Sequence, residues 1–218
     1  VTTREQERTI TGWAALVVVV LMLPTIAVAV LHPTPPAASA LVAYLAEHRS
    51  SILASIYLSA LGWGGGLLVF AAGLYTVLRR AEGESAVFSL VAFGACVATA
   101  VAILTAVTLI GAVAYRAPDI DARTASVLYD AGGFANLMTA FPNAIYTIAA
   151  AIVIRRTSVL PAWIGHGALL VAAIHLASAL SMARAGAFAP WGVLPSLAPL
   201  SHTVWLATVA FVTLRRGS

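Results

Sequence analysis

The 218-residue sequence predicts an all-α polytopic membrane bundle, a single transmembrane domain over residues 1–218 with six spans. Three observations carry this. The chain is 61% hydrophobic and only 9% charged, whereas soluble domains carry roughly a quarter charged residues. Six apolar runs, about 11–32, 51–78, 86–115, 125–154, 159–183 and 198–214, are each long enough to be spans, since crossing the hydrocarbon takes about 20 helical residues. The arginines also alternate: with six spans, eight of the twelve fall on one side and Arg49, Arg116, Arg123 and Arg184 on the other. The richer side is the cytoplasmic one, so both termini are expected inside, in a bacterial inner membrane. The absence of Lys and the abundance of Ala fit a GC-rich bacterial coding sequence.

The first run follows Arg4 and Arg8, which Glu5 and Glu7 offset, and no clean small-x-small cleavage site precedes Pro33. A retained helix is expected rather than a signal peptide. From Pro33 to Arg49 the chain opens with prolines and then places Leu41, Tyr44, Leu45 and His48 at helical spacing. That pattern predicts a short amphipathic helix on the outer surface, between helices one and two.

Helix two carries Ser51, Ser55, Ser59, Gly62, Gly66 and Gly73 as a stripe of small residues. Such stripes let helix backbones approach closely in lipid. The run GWGGG, from Gly62 to Gly66, marks a place for irregular backbone or a ligand, as at the broken helices of membrane transporters. No strand precedes it, so a phosphate-binding loop is excluded. Helix three contains Cys96, the chain's one cysteine, which rules out an internal disulfide and reads as a buried, inert thiol. Arg79 to Ser85 and Arg155 to Pro161 are short enough to predict antiparallel hairpins.

Helix four is the most polar span. Asp130, Asn136 and Asn143 interrupt it, and a polar side chain in hydrocarbon needs a partner or a wet cavity. Asn136 and Asn143 share a face with Thr139 between them, while Asp130 is rotated off that face by roughly 120°. Pro142 removes a backbone donor and frees the carbonyl near Met138. Two readings stand: Thr139 and Asn143 satisfy the kink while Asp130 reaches water or Arg123, or these residues form a ligand site. After helix five, the segment Ala185 to Pro199 is proline-rich but greasy, with Phe188 and Trp191, and reads as an interfacial lid that cannot be one continuous helix.

His166 and His175 are half a turn out of phase on helix five, so they cannot share a target. His175 and His202 fall at depths comparable to Asp130 and Asn136, which makes a cluster of Asp130, Asn136, His175 and His202 in the outer half geometrically feasible. Such a cluster suits a divalent metal, a haem iron held by two histidines, or acid–base work with Asp130, His175 and His202 as the candidate catalytic groups. None of these has diagnostic spacing: HExxH, GxSxG and carboxylate-rich motifs are absent. No metal site is assigned and the cofactor is unknown.

GLYTVLRR at the end of helix two, VLYDAGGFANLM opening helix four, SVLPAWIGHGALL opening helix five and a proline-marked last helix ending in Arg-Arg carry a resemblance. Over about two thirds of the chain these motifs resemble a broad bacterial family of six-helix integral membrane proteins known only as a domain of unknown function. The resemblance implies the six-helix fold and no activity.

The functional expectation is non-enzymatic binding of a small hydrophobic or amphiphilic ligand in an outer-half cavity, as carrier, sensor or accessory subunit. Asp130, Asn136, Asn143, Trp63 and Trp191 are the expected ligand contacts. The alternatives are a membrane-embedded enzyme acting on a lipid-soluble substrate through Asp130 with His175 or His202, and a structural subunit of a larger membrane complex. The expected partners are the lipid bilayer, the small ligand, and a second copy or larger complex. Paired arginines at span ends are a topology signal, so nucleic acid is excluded.

Overall fold

The computed structural model describes residues 4–31, 38–183, 186–188 and 192–215. The apolar runs fold into helices because backbone polar groups in hydrocarbon must be satisfied within their own segment. In chain order these are α1 (Arg4–Leu31), α2 (Ala38–Glu47), α3 (Arg49–Ser59), a π-helical turn (Ala60–Gly66), α4 (Leu67–Glu82), α5 (Val87–Arg116), α6 (Ala122–Met138), α7 (Ala140–Thr157), α8 (Ala162–Ser178) and α9 (Val193–Arg215). The α3–π–α4 segment is one rod, and α6–α7 is a second rod divided at Thr139. Among the described residues, five helical rods are long and apolar enough to cross a membrane, and α8 is a shorter apolar helix of 17 residues.

The rods close into a ring. Each packs on its neighbours in sequence, α1 on α4, α4 on α5, α5 on α7, α7 on α8 and α8 on α9, and α9 returns to α1. The first seam explains the stripe of small residues. A Cβ on Gly62 would lie 2.7 Å from Met22, one on Gly66 3.0 Å from Val18, and one on Gly73 2.6 Å from Thr11. The partners descend α1 as the glycines ascend, which is antiparallel packing with the backbones drawn together. Of the two roles open to this stripe, close packing is the one Gly62, Gly66 and Gly73 fill.

One end of the ring is stitched by polar contacts. Arg80 pairs with Glu7 at 2.7 Å, joining α4 to α1. Glu82 accepts hydrogen bonds from the backbone N–H of Phe88 and Ser89 and from the Ser89 hydroxyl. The last residue of α4 thus satisfies donors that the start of α5 leaves open. Arg156 lies over the Phe88 ring, 5.2 Å from its centre, bringing α7 to the same corner. At the opposite end, Arg49 donates to the Tyr115 carbonyl and covers its ring.

The structure bears on three expectations. The segment expected to be amphipathic is helical as α2, and its Leu41 and Leu45 are buried against Val113, Ala114, Ala125 and Tyr129 of α5 and α6. The fourth span is interrupted at Thr139, next to the Met138 carbonyl that Pro142 leaves free, and Pro142 itself lies in the first turn of α7. The last helix starts at Val193, not near 198, and runs through Pro195 and Pro199. Pro195 is in its first turn, so the proline-rich segment is helical from there onward. Arg184 and Trp191 lie outside the described residues.

Candidate functional site

Three interruptions of regular helix converge on one cavity. The π-helical turn brings Trp63, and Ser59 just before it. The α6–α7 break supplies Asn136, Thr139 and Asn143, and the start of α9 supplies Pro195, Ala198 and Pro199. Met22, Ile26, Ile103, Val107 and Leu137 make the apolar wall, and His175 with Ser178 completes it from α8. The cavity has a volume of about 240 Å³. Irregular backbone at membrane depth is tolerated where protein or a cavity surrounds it, and π-turns recur at functional sites.

The Thr139 hydroxyl and backbone N–H both donate to the Asn136 carbonyl, at 2.6 and 3.1 Å. The Asn143 backbone N–H donates to the Thr139 carbonyl at 3.0 Å, but its side chain turns elsewhere, contrary to the kink reading of that side chain. It is buried, and its Oδ1 lies 3.4 Å from the Thr99 hydroxyl of α5. Its amide therefore serves α5 and the cavity.

Behind His175 runs a chain of buried rings. His175 Nε2 is 3.3 Å from His202 Nδ1, and His202 Nε2 is 2.9 Å from the Tyr146 hydroxyl. Trp63 stands edge-on to His202 with ring centres 5.0 Å apart, and Trp205, whose indole N–H donates to the Ile164 carbonyl, packs on Tyr146. Tyr146 and His202 are fully buried. The α8 and α9 helices cross at this point, which brings the two histidines into direct contact. Their nitrogens are in hydrogen-bonding contact, which leaves no room for a porphyrin between them.

The expected residues thus divide. Trp63, Asn136, Asn143 and His175 line the cavity, and His202 lies one hydrogen bond behind it. Asp130 does not join them. It is exposed on α6, and its side chain has no hydrogen bond or ion pair among the described residues, neither to His175 or His202 nor to Arg123. Its rotation off the Asn136 face is the cause, together with the packing of α6 on α5 and α2 rather than on α8 or α9. The proposed acid–base pair of Asp130 with a histidine is not formed. Among the described residues, no three His, Cys, Asp or Glu side chains converge as a metal-ligand set. Cys96 is buried in the core.

Among the site residues that escaped the sequence reading are Tyr146 and Thr99. Tyr146 had a signal: it continues the face of Asn136, Thr139 and Asn143 at the next helical step. Thr99 had none, because its role depends on which part of α5 faces Asn143. Comparison with known proteins finds no matching family model, no similar curated protein and no similar solved structure.

Proposed function

We propose that this chain is a six-span protein of a bacterial inner membrane, both termini cytoplasmic, that binds one small hydrophobic or amphiphilic molecule in the cavity between Trp63, Asn143 and His175. The span count takes α8 as the sixth crossing: at 1.5 Å per residue it is about 26 Å long, close to the roughly 30 Å of hydrocarbon. The orientation rests on arginine bias, with Arg4, Arg8, Arg79, Arg80, Arg155, Arg156 and Arg215 at one end of the rods. His202 lies about 20 Å along α9 from Arg215, a distance that supports a cavity in the outer half.

One observation carries the ligand reading: three separate helix irregularities open onto the same cavity, which has apolar walls and a hydrogen-bonding face. Ligand sites are of this kind, apolar surfaces with a few placed polar groups. The non-enzymatic form of the reading is favoured by the position of Asp130 outside the site.

Native mass spectrometry of the protein released from mild detergent tests it. A single retained molecule of constant mass is expected on the wild type. Ala198→Phe, which fills the cavity from α9, is expected to lose it. Identical adduct patterns in the two proteins contradict the proposal.

A further inference from the structure

The polarity of the buried ring chain can be worked out by counting protons. Tyr146 is fully buried, and its hydroxyl has one partner among the described residues, His202 Nε2. If His202 donated to the tyrosine oxygen, the phenolic proton would be left without an acceptor in a dry interior, a cost of about 1–3 kcal/mol. The Tyr146 hydroxyl is therefore the donor. A neutral imidazole has one N–H and one acceptor nitrogen, so accepting at Nε2 puts the His202 proton on Nδ1. That proton is donated to His175 Nε2, and the His175 proton is in turn fixed on Nδ1. His175 Nδ1 has no partner among the described residues, and His175 lines the cavity. The Asn143 amide nitrogen has no acceptor among the described residues, its oxygen lying 3.4 Å from the Thr99 hydroxyl, which also reaches the Ala95 carbonyl at 3.1 Å. No Asp, Glu, Lys or Arg lines the cavity among the described residues.

We infer that the cavity is built for an uncharged amphiphile presenting an acceptor oxygen of carbonyl type, received by N–H groups of His175 and Asn143, with Tyr146 as the buried positioning residue that keeps His175 a donor. This rests on the ligand-binding reading above and narrows it. A charged head group is disfavoured, because no opposite charge lines the cavity to offset its desolvation. A purely hydrocarbon ligand is disfavoured, because it would strip water from two donors and return nothing. The apolar part of the molecule lies along Met22, Ile26, Ile103 and Val107.

The test uses full-length protein in detergent and a decyl-substituted benzoquinone as probe, read by quenching of tryptophan fluorescence. The saturable part of the quenching is expected to vanish in Trp63→Phe. Two competitors then differ in one atom's chemistry: 2-undecanone, and 2-methylundec-1-ene, in which a methylene group replaces the ketone oxygen. In wild type the ketone is expected to displace the probe at roughly tenfold lower concentration than the alkene, about the worth of one good hydrogen bond. In Tyr146→Phe, where the donor end of the chain is gone and His175 is free to turn acceptor, that ratio is expected to fall to about twofold. A merely structural role for Tyr146 would weaken both competitors alike and leave the ratio unchanged. Asn143→Leu, which keeps the volume and removes the second donor, is expected to lower the ratio in the same way. An unchanged ratio in both variants overturns the inference while leaving ligand binding standing. A lack of saturable quenching in wild type overturns the inference, and the absence of a retained mass as well overturns the binding reading.

Discussion

His175 and His202 meet across the α8–α9 interface with 3.3 Å between Nε2 and Nδ1, and this contact connects the cavity wall to the buried Tyr146 hydroxyl. Each histidine is a partner of the other, and His202 also meets the Tyr146 hydroxyl. Their coupling is measurable. A double-mutant cycle with His175→Ala and His202→Ala, followed by reversible unfolding in mixed micelles, is expected to give a coupling of roughly 1 kcal/mol, the upper range for hydrogen bonds in membrane proteins. Additive losses would mean that the contact is incidental.

The seam between α1 and the α3–π–α4 rod gives a pair of opposite expectations. Gly73→Val drives a side chain into Thr11, whose hydroxyl and Cα lie 2.6 and 3.1 Å from the new Cβ. Overpacking of this kind costs about 1–3 kcal/mol. Gly65→Ala meets nothing within 4 Å and improves helix propensity, so it is expected to be neutral or to stabilise by a few tenths of a kcal/mol. Thermal unfolding of the two variants beside wild type checks both signs.

Glu82 holds the first donors of α5 through Phe88 and Ser89. Glu82→Ala is expected to cost about 1 kcal/mol, the usual worth of an N-terminal cap, and to raise amide exchange at the start of α5. Uniform exchange across the 83–90 segment in both proteins would show that the cap contributes nothing. The Glu7–Arg80 pair is half open to solvent on its arginine side, and its removal is expected to cost less than 1 kcal/mol.

Asp130→Asn separates the sequence-based site from the structural one. Because Asp130 is exposed and lies outside the cavity lining, the substitution is expected to leave retained ligand unchanged and stability within about 0.5 kcal/mol. Loss of the ligand in Asp130→Asn would return the acid to the site and displace the present assignment.

How much of this was legible beforehand follows from which forces act locally. The apolar rods could be read because hydrocarbon thickness and backbone satisfaction fix helix length within each segment. The shared face of Asn136, Thr139 and Asn143 is a property of one helix, and it survives as one wall of the cavity. The irregular backbone foreseen at Gly62 to Gly66 is there as a π-helical turn. What sequence reasoning missed depends on contacts between rods. The isolation of Asp130 follows from α6 packing on α5 and α2, and Tyr146 becomes important only where α7 meets α8 and α9. The prolines of α9 misled for a different reason: Pro195 looks like a helix breaker until its position in the first turn is known.

The most direct test of the central claim is a crystal structure grown from a lipidic mesophase without stripping native lipid. The expected result is continuous non-protein density in the cavity, with an oxygen of the bound molecule within hydrogen-bonding distance of His175 Nδ1 and the Asn143 amide. A cavity closed by Trp63 or by the first turn of α9, with no density between Asn143 and His175, would contradict it.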